Sequence, residues 1–507
     1  MNRRAFLAMP AFLRAQSSRP RITHGIQSGD PAADSVLLWA RGDRPSRMWV
    51  EVASDEKFSK VLYKFRGPHL LPGADFTARH VATGLPSGAD LHYRITLEDL
   101  TEGRAMSEPS TGHFRTAPAT PRNVRFLWSA DMVGQGYGIN PDLGGIQIFK
   151  NMLERQPDFF LHSGDTIYAD GPIQSSWTPP EGGTWRNIAT EAKSKVAETL
   201  DEYRGCYQYN LLDEHVRKFN SQVSQVWQWD DHEILNNWSP GKDLRNDPKY
   251  TEKNIDVLVS RGAQAFREYA PMRANANETE RVYRKMSYGP MLDVFLLDMR
   301  TYRAANSHNR QPAEGPETVF LGPEQRAWLK RELKASKADW KVIAADMPIG
   351  LLVGDGKDKE GRPMFEASAN GEGPALGREL EIADLLRYMK REKIRNTIWL
   401  TADVHYTAAH YYNPAKATFT DFDPFWEFVS GPLNAGTFGP GQTDPTFGIE
   451  VVYANHPDKG KGNLSPKQGK QFFGEVEIDS KTRALTVTLR DLKGTNLYTK
   501  RLDRIRA

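Results

Sequence analysis

Two hydrophobic grammars follow one another along this chain. From residue 21 to about 117, short runs alternate apolar and polar residues, as at 35–40, 48–53 and 91–97. Turn clusters such as Ser28-Gly-Asp-Pro31 and Leu85-Pro-Ser-Gly88 separate them. Alternation with period two between turns predicts an all-β sandwich over residues 20–118. Residues 116–121 read as a linker. From about Asn123, apolar strand-like runs alternate with helix-like stretches at 146–155, 323–336 and 377–393. That alternation predicts an α/β domain over residues 119–507. Segments 171–200 and 353–376 are rich in turn-forming residues and read as loops that roof a site. Residues 472–502 alternate like antiparallel strands.

Four apolar runs of the second region end in an acidic residue. They lead to Asp131, to Asp165 with Tyr168 three residues on, to Asp230-Asp-His-Glu233, and to Asp403-Val-His405. Ligands of open α/β sheets sit at the carboxyl ends of strands. Four such strands would bring carboxylates, two imidazoles and a phenolate to one rim. That is a polynuclear metal site in outline, and its chemistry is hydrolysis. Asp165 can bridge two cations. Tyr168 offers a hard anionic ligand that suits ferric iron better than zinc. Asp231 is a candidate ligand, and His232 can stand behind it to protonate a leaving oxygen. Asp403 and His405, alternate residues of an extended segment, point the same way. Each motif alone fits packing or a salt-bridge cluster; their conjunction in one domain points to a shared site.

Charge narrows the partners. The 507 residues carry 67 basic and 64 acidic side chains, a net +3, which makes no case for a nucleic-acid or membrane-surface binder. A single cysteine, Cys206, rules out an intrachain disulfide and a Cys-rich metal site, and reads as a buried small residue. Arg3 and Arg4 precede a short apolar segment, Ala5 to Leu13, and then polar residues. Residues 1–16 resemble a twin-arginine export signal, with an apolar segment too short to span a membrane. The expected partner there is the twin-arginine translocation machinery, and the expected destination is the periplasm or the extracellular space.

The order G-D-x-x-Y, x-[ND]-H-E, x-[HD]-x-H resembles the calcineurin-like metallophosphoesterases, and D-x-x-Y their purple acid phosphatase branch. The chain is more closely similar to the alkaline phosphatase D family. The likeness rests on Gly25-Ile-Gln-Ser-Gly-Asp-Pro31 with Leu38-Trp39, Ser163-Gly-Asp-Thr-Ile-Tyr168 and Trp229-Asp-Asp-His-Glu233. It extends to Asn236-Asn-Trp238, Leu297-Asp-Met-Arg-Thr-Tyr-Arg303 and Asp403-Val-His405. Residues 84–94 resemble a turn and strand of fibronectin type III-like modules. The likeness implies a four-layer αββα sandwich behind that β-sandwich, a binuclear or larger metal centre, and hydrolysis of phosphate mono- or diesters.

Carried over position by position, the first metal site takes Asp131, Asp165, Tyr168 and His405, and holds Fe3+. The second takes Asp165, Asp231 and Asp403. Its all-carboxylate set favours Ca2+, then Mn2+ or Mg2+. Asp131 stands where some members have cysteine, and Val133 where others have histidine. Asp346 ends a strand where purple acid phosphatases place a histidine; it is a second-site ligand or a hydrogen bonder behind one. A metal-bound hydroxide would attack phosphorus, with His232 assisting the leaving alkoxide. Arg300 and Arg303 either contact the phosphate or brace the sheet through salt bridges. The alternatives are a phospholipase D-like phosphodiesterase with the same centre, or a non-catalytic exported protein that binds metal or a polymer.

Overall fold

A computed structural model describes residues 19–101 and 103–505. The export signal read over residues 1–16 lies outside the described residues. Two large mixed sheets organise the rest. The nine-stranded sheet is built around three parallel strands, Val124–Ser129, Phe159–Ser163 and Ser224–Gln228. The seven-stranded sheet is built around Leu292–Leu296, Trp340–Ala344, Thr397–Thr401 and Phe425–Val429, also parallel. Strands covered on both faces tend toward continuous apolar runs, as Phe159-Phe-Leu161 and Val342-Ile-Ala344 show, while Ser224-Gln-Val-Trp-Gln228 is mixed. Their registers run in step, with Ser163 opposite Gln228 and Ala344 opposite Leu400, so their carboxyl ends finish along one edge of each sheet.

Period-two alternation sorts each strand's side chains between two cores. Phe126, Trp128, Leu161 and Val226 of the first sheet meet Val294, Val342, Ile398 and Leu400 of the second. On the outer face of the first sheet, Leu127, Phe160 and Trp227 pack with helices Leu200–Asn210, Glu214–Gln222 and Ile255–Tyr269. On the outer face of the second, Phe295, Ile343 and Trp399 pack with Pro323–Ala335 and Glu379–Arg391. The first of these helices starts at a reciprocal Thr199–Glu202 capping box, which satisfies backbone N–H groups that no helical carbonyl reaches. Three bonds stitch the sheets at the carboxyl edge. Gln228 Nε2 donates to the carbonyls of Leu297 and Ala344, both at 2.9 Å, and Trp128 Nε1 to that of Thr401 at 3.3 Å.

The N-terminal strands divide between two sheets. Ser46–Ala53, Val61–Leu70, Asp90–Asp99 and Ser110–Arg115 form a sheet of their own. Ile22–Gly29, Val36–Gly42 and Thr77–Ala82 instead extend the nine-stranded sheet, where Gly29 pairs with Gln225 in parallel. Ile26, Val36 and Leu38 pack on Met48, Val50, Val52 and Tyr93 between them. The change of grammar near residue 118 is therefore not a break in the sheet. The segment read as a linker is packed in its first half, where Thr116 and Ala117 are buried and the Ala117 N–H donates to the Ala32 carbonyl at 3.0 Å, and exposed from Ala119 to Pro121. The alternating tail folds as Phe472–Ile478, Leu485–Asp491 and Asn496–Leu502, an antiparallel edge on the nine-stranded sheet. Among the described residues no helix is long and apolar enough to cross a membrane.

Candidate metal centre

The carboxyl edges of the two sheets meet, and there the chain turns sharply. Asp131, Asp165, Asp403 and His405 all have positive φ, at 63°, 50°, 66° and 58°. Left-handed backbone costs a residue other than glycine about 1–3 kcal/mol, and such strain concentrates at functional sites. These turns aim four side chains from three strands at one volume. Close approach of backbones makes room for it. A Cβ on Gly164 would lie 2.4 Å from the Cβ of Asp230, and one on Gly431 would lie 2.1 Å from Asp131 Oδ2.

Three overlapping groups of ligand atoms, each within 4.8 Å of one another, result: Asp131, Asp165 and His405; Asp165, Asp231 and His232; Asp230, Asp231 and Asp403. Tyr168 joins the first, its hydroxyl 2.8 Å from His405 Nε2. His405 is set up to coordinate. Its Nδ1 lies 2.5 Å from the Gly436 carbonyl, which can only accept, so the proton sits on Nδ1 and Nε2 is bare. Burial lowers its pKa to about 4, which keeps the ring neutral.

The carboxylates are under-satisfied. Asp131 is fully buried and neither of its oxygens has a hydrogen-bond partner; Asp231 Oδ1 is in the same condition. Buried polar atoms are almost always paired, so these orphaned oxygens fit a site that a cation would complete. Electrostatics gives the same answer. Burial pushes the Asp131 carboxyl up to about 8, against the pull of His232 and with repulsion from Asp231 and Glu233. Burial also raises Asp165 and Asp403 well above the usual carboxylate range. Asp231 goes the other way: burial would raise it, but His232, Arg300 and the Asn237 N–H hold it down to about 2. Like charges this close ionise together only when a cation neutralises them. The donor set of carboxylates, one phenol and one imidazole fits hard metal ions.

His232 lies beside the cluster. Its Nδ1 is 2.6 Å from Asp170 Oδ1, its Nε2 is 3.9 Å from Asp231 Oδ2, and its ring lies 4.1 Å from that of Tyr168, centroid to centroid. Burial disfavours its charge, but Asp170, Asp231 and Asp165 outweigh burial and hold the imidazolium well above the ordinary histidine range. Asp170 Oδ2 accepts from the Asn236 N–H at 2.9 Å, which fixes the carboxylate. Glu233 ties the turns together, accepting from the backbone of Asp165, Thr166 and Asp230 at 3.2, 2.6 and 2.8 Å.

Sequence reasoning missed Asp170, Asp230, Glu233 as a tie, and Glu366. Asp170 carried a signal, since it lies five residues after Asp165 in the same turn. Glu366 carried none, because it arrives from the 353–376 loop. Arg300 and Arg303, read as phosphate contacts or as braces of the sheet, are both buried. Arg300 Nε donates to Asp230 at 2.6 Å and to Asp346 at 3.1 Å, and Nη1 donates to Glu366 at 2.6 Å. Arg303 donates to the Glu366 carbonyl and, at 3.0 Å, to Asn306. Asp346 touches Arg300 and belongs to none of the three ligand groups. Cys206 is buried in the core outside the first sheet.

Known proteins share this arrangement of chain. A solved structure of PhoD superposes with a TM-score of 0.70 at 21% identity, covering 96% of this chain and 91% of that one. A purple acid phosphatase from yellow lupin (Lupinus luteus) seeds gives 0.58 at 13% identity, covering 96% and 74%. At these identities the likeness is one of fold. Alkaline phosphatase D of Bacillus subtilis (strain 168) is 29% identical over 416 residues. That alignment covers 77% of this chain and 65% of the relative, less than two thirds of its length. Residues 7–118 match the N-terminal domain of PhoD-like phosphatases. Residues 126–489, which include every residue of the cluster, match the PhoD-like phosphatase family itself, and the chain belongs to that family.

Proposed function

We propose that this chain is an exported, metal-dependent phosphoric ester hydrolase acting on small phosphate mono- or diesters. One observation carries the reading: unpaired, buried carboxylate oxygens of Asp131 and Asp231 converge with Asp165, Asp403, Tyr168 and His405 beside a histidine that Asp170 aligns. Family membership and the alkaline phosphatase D relative support the same chemistry. The three hydrophobic cores support reading the second region as a four-layer αββα sandwich, with a fibronectin III-like module before it. Arg3 and Arg4 support delivery by the twin-arginine machinery.

Asp131, Asp165, Tyr168 and His405 would hold Fe3+. Asp165, Asp231 and Asp403 would hold a hard divalent ion, Ca2+ before Mn2+ or Mg2+. When bound, the ions supply neutralisation of phosphoryl charge and activation of water. The protein does the rest. Gly436 fixes the tautomer of His405. Asp170 holds His232 by Nδ1, which leaves Nε2 to deliver a proton to the leaving oxygen. The Tyr168 ring, packed on His232, sets the position of that imidazole.

The deciding experiment is the visible spectrum of the purified protein beside turnover of a chromogenic monoester and diester. The expected result is turnover with a broad charge-transfer band that Tyr168→Phe removes. An active, colourless protein would refute iron on the phenolate. A protein that binds metal and turns over neither ester would refute the hydrolase.

A further inference from the structure

Five buried or nearly buried carboxylates surround one guanidinium. Arg300 is wholly enclosed. Asp230, Asp346 and Glu366 accept hydrogen bonds from it at 2.6, 3.1 and 2.6 Å. Asp231 and Asp403 stand farther off, at 3.7 and 3.9 Å from Nη2. Distance alone would let Asp230 serve as a ligand, since it offers an oxygen within 4.8 Å of those of Asp231 and Asp403. Asp230 Oδ1, however, accepts from Arg300 Nε and is ion-paired with Nη2, which has no hydrogen-bond partner. The backbone of the preceding turn is tied as well, with the Asp230 N–H donating to Glu233.

We propose that Arg300 occupies the position of an additional cation: it holds one oxygen each of Asp230, Asp346 and Glu366, keeps those oxygens from metal, and positions Asp231 and Asp403 as the carboxylates that complete the second site with Asp165.

The physical reason lies in how the two sets are satisfied. Hydrogen-bonded carboxylates close their charge on a neighbour at under 3.2 Å. At 3.7 Å and beyond, Asp231 and Asp403 feel the guanidinium field without donating their lone pairs to it. Asp231 Oδ1 has no hydrogen-bond partner, while its Oδ2 accepts from the Asn237 N–H; Asp346 Oδ1 is unpaired as well, but Asp346 belongs to none of the three ligand groups. Asp231 and Asp403 are the two of the five that Arg300 does not bond, and Asp231 Oδ2 also faces His232 Nε2 at 3.9 Å. A planar fork suits this division, because it presents several donors in fixed directions and never loses its charge. Glu366 comes from the 353–376 loop and Asp346 from the end of Trp340–Ala344, so Arg300 also pins that loop to the second sheet.

This rests on the metal-centre reading above, and the test separates the two. Full-length protein is loaded with iron and Ca2+, and each ion is counted per chain by plasma mass spectrometry. Asp230→Asn and Asp346→Asn are expected to keep the wild-type count of both ions, whereas Asp231→Asn loses the calcium. Loss of an ion from either Asp230→Asn or Asp346→Asn would overturn the proposal by making that residue a ligand. Arg300→Lys keeps the charge and loses the fork. Calorimetric titration is expected to show Ca2+ binding weakened about tenfold in that variant, with iron content unchanged. Unchanged Ca2+ affinity would also overturn it. Wild-type protein that holds no ion would instead refute the metal centre itself.

Discussion

The two ends of the same strands carry the same kind of residue in opposite circumstances. Phe159–Ser163 is preceded by Asp158 and followed by Asp165; Trp340–Ala344 is preceded by Asp339 and followed by Asp346. At the amino ends every acid meets arginine. Asp158 pairs with Arg122 at 3.0 Å and Arg115 at 3.3 Å and accepts from the Arg125 N–H at 2.8 Å. Asp339 pairs with Arg483 at 2.8 Å and Arg504 at 3.0 Å. At the carboxyl ends the acids meet one another, with Asp131, Asp165 and Asp403 on left-handed backbone and Arg300 among them. Acidity therefore does not distinguish structure from site. The distinction lies in whether the surrounding chain closes the charge, and at the carboxyl edge it leaves that to cations.

The largest effect that tests this contrast is the pair Asp165→Asn and Asp158→Asn. The first is expected to abolish turnover and metal content. The second is expected to leave both intact and to lower unfolding stability in urea by about 1–3 kcal/mol, as for lost hydrogen bonds between charged groups. Metal loss from Asp158→Asn would break the comparison. Next comes His232→Asn, with kcat down about 10²–10⁴-fold and the metal count unchanged, as for a lost proton donor. Asp170→Asn should follow with a loss of about 10–100-fold, since it acts through His232. An Asp170→Asn variant as active as wild type would remove the aligning role. Smallest is Arg387→Ala. Its surface pairing with Asp421 at 3.3 Å has both side chains about half exposed, and neither melting temperature nor turnover should move.

Legibility in the sequence followed the range of the interaction. The α/β alternation could be read because buried parallel strands are rich in apolar residues, and the strand-end acids because they stand within a few residues of those runs. The helices at Pro323–Ala335 and Glu379–Arg391 fall inside the stretches read from the sequence, because each carries its own apolar stripe. Asp131, Asp165, Tyr168, Asp231, Asp403 and His405 were all named from local motifs, and the fold gathers them.

The sequence by itself determined which residue types stand at the strand ends, the order of the motifs, and hence the class of chemistry open to the chain. Tertiary structure alone decided how those acids are divided. Whether Arg300 meets substrate or carboxylates depends on Glu366, 66 residues away, and on Asp230, 70 residues before it. Whether the first 118 residues stand apart depends on long-range contacts such as the parallel pairing of Gly29 with Gln225 and the Arg284–Asp30 ion pair. Both are long-range: a charge is closed, or a sheet extended, by whatever the fold brings within about 3 Å. No local pattern of residues records that distance.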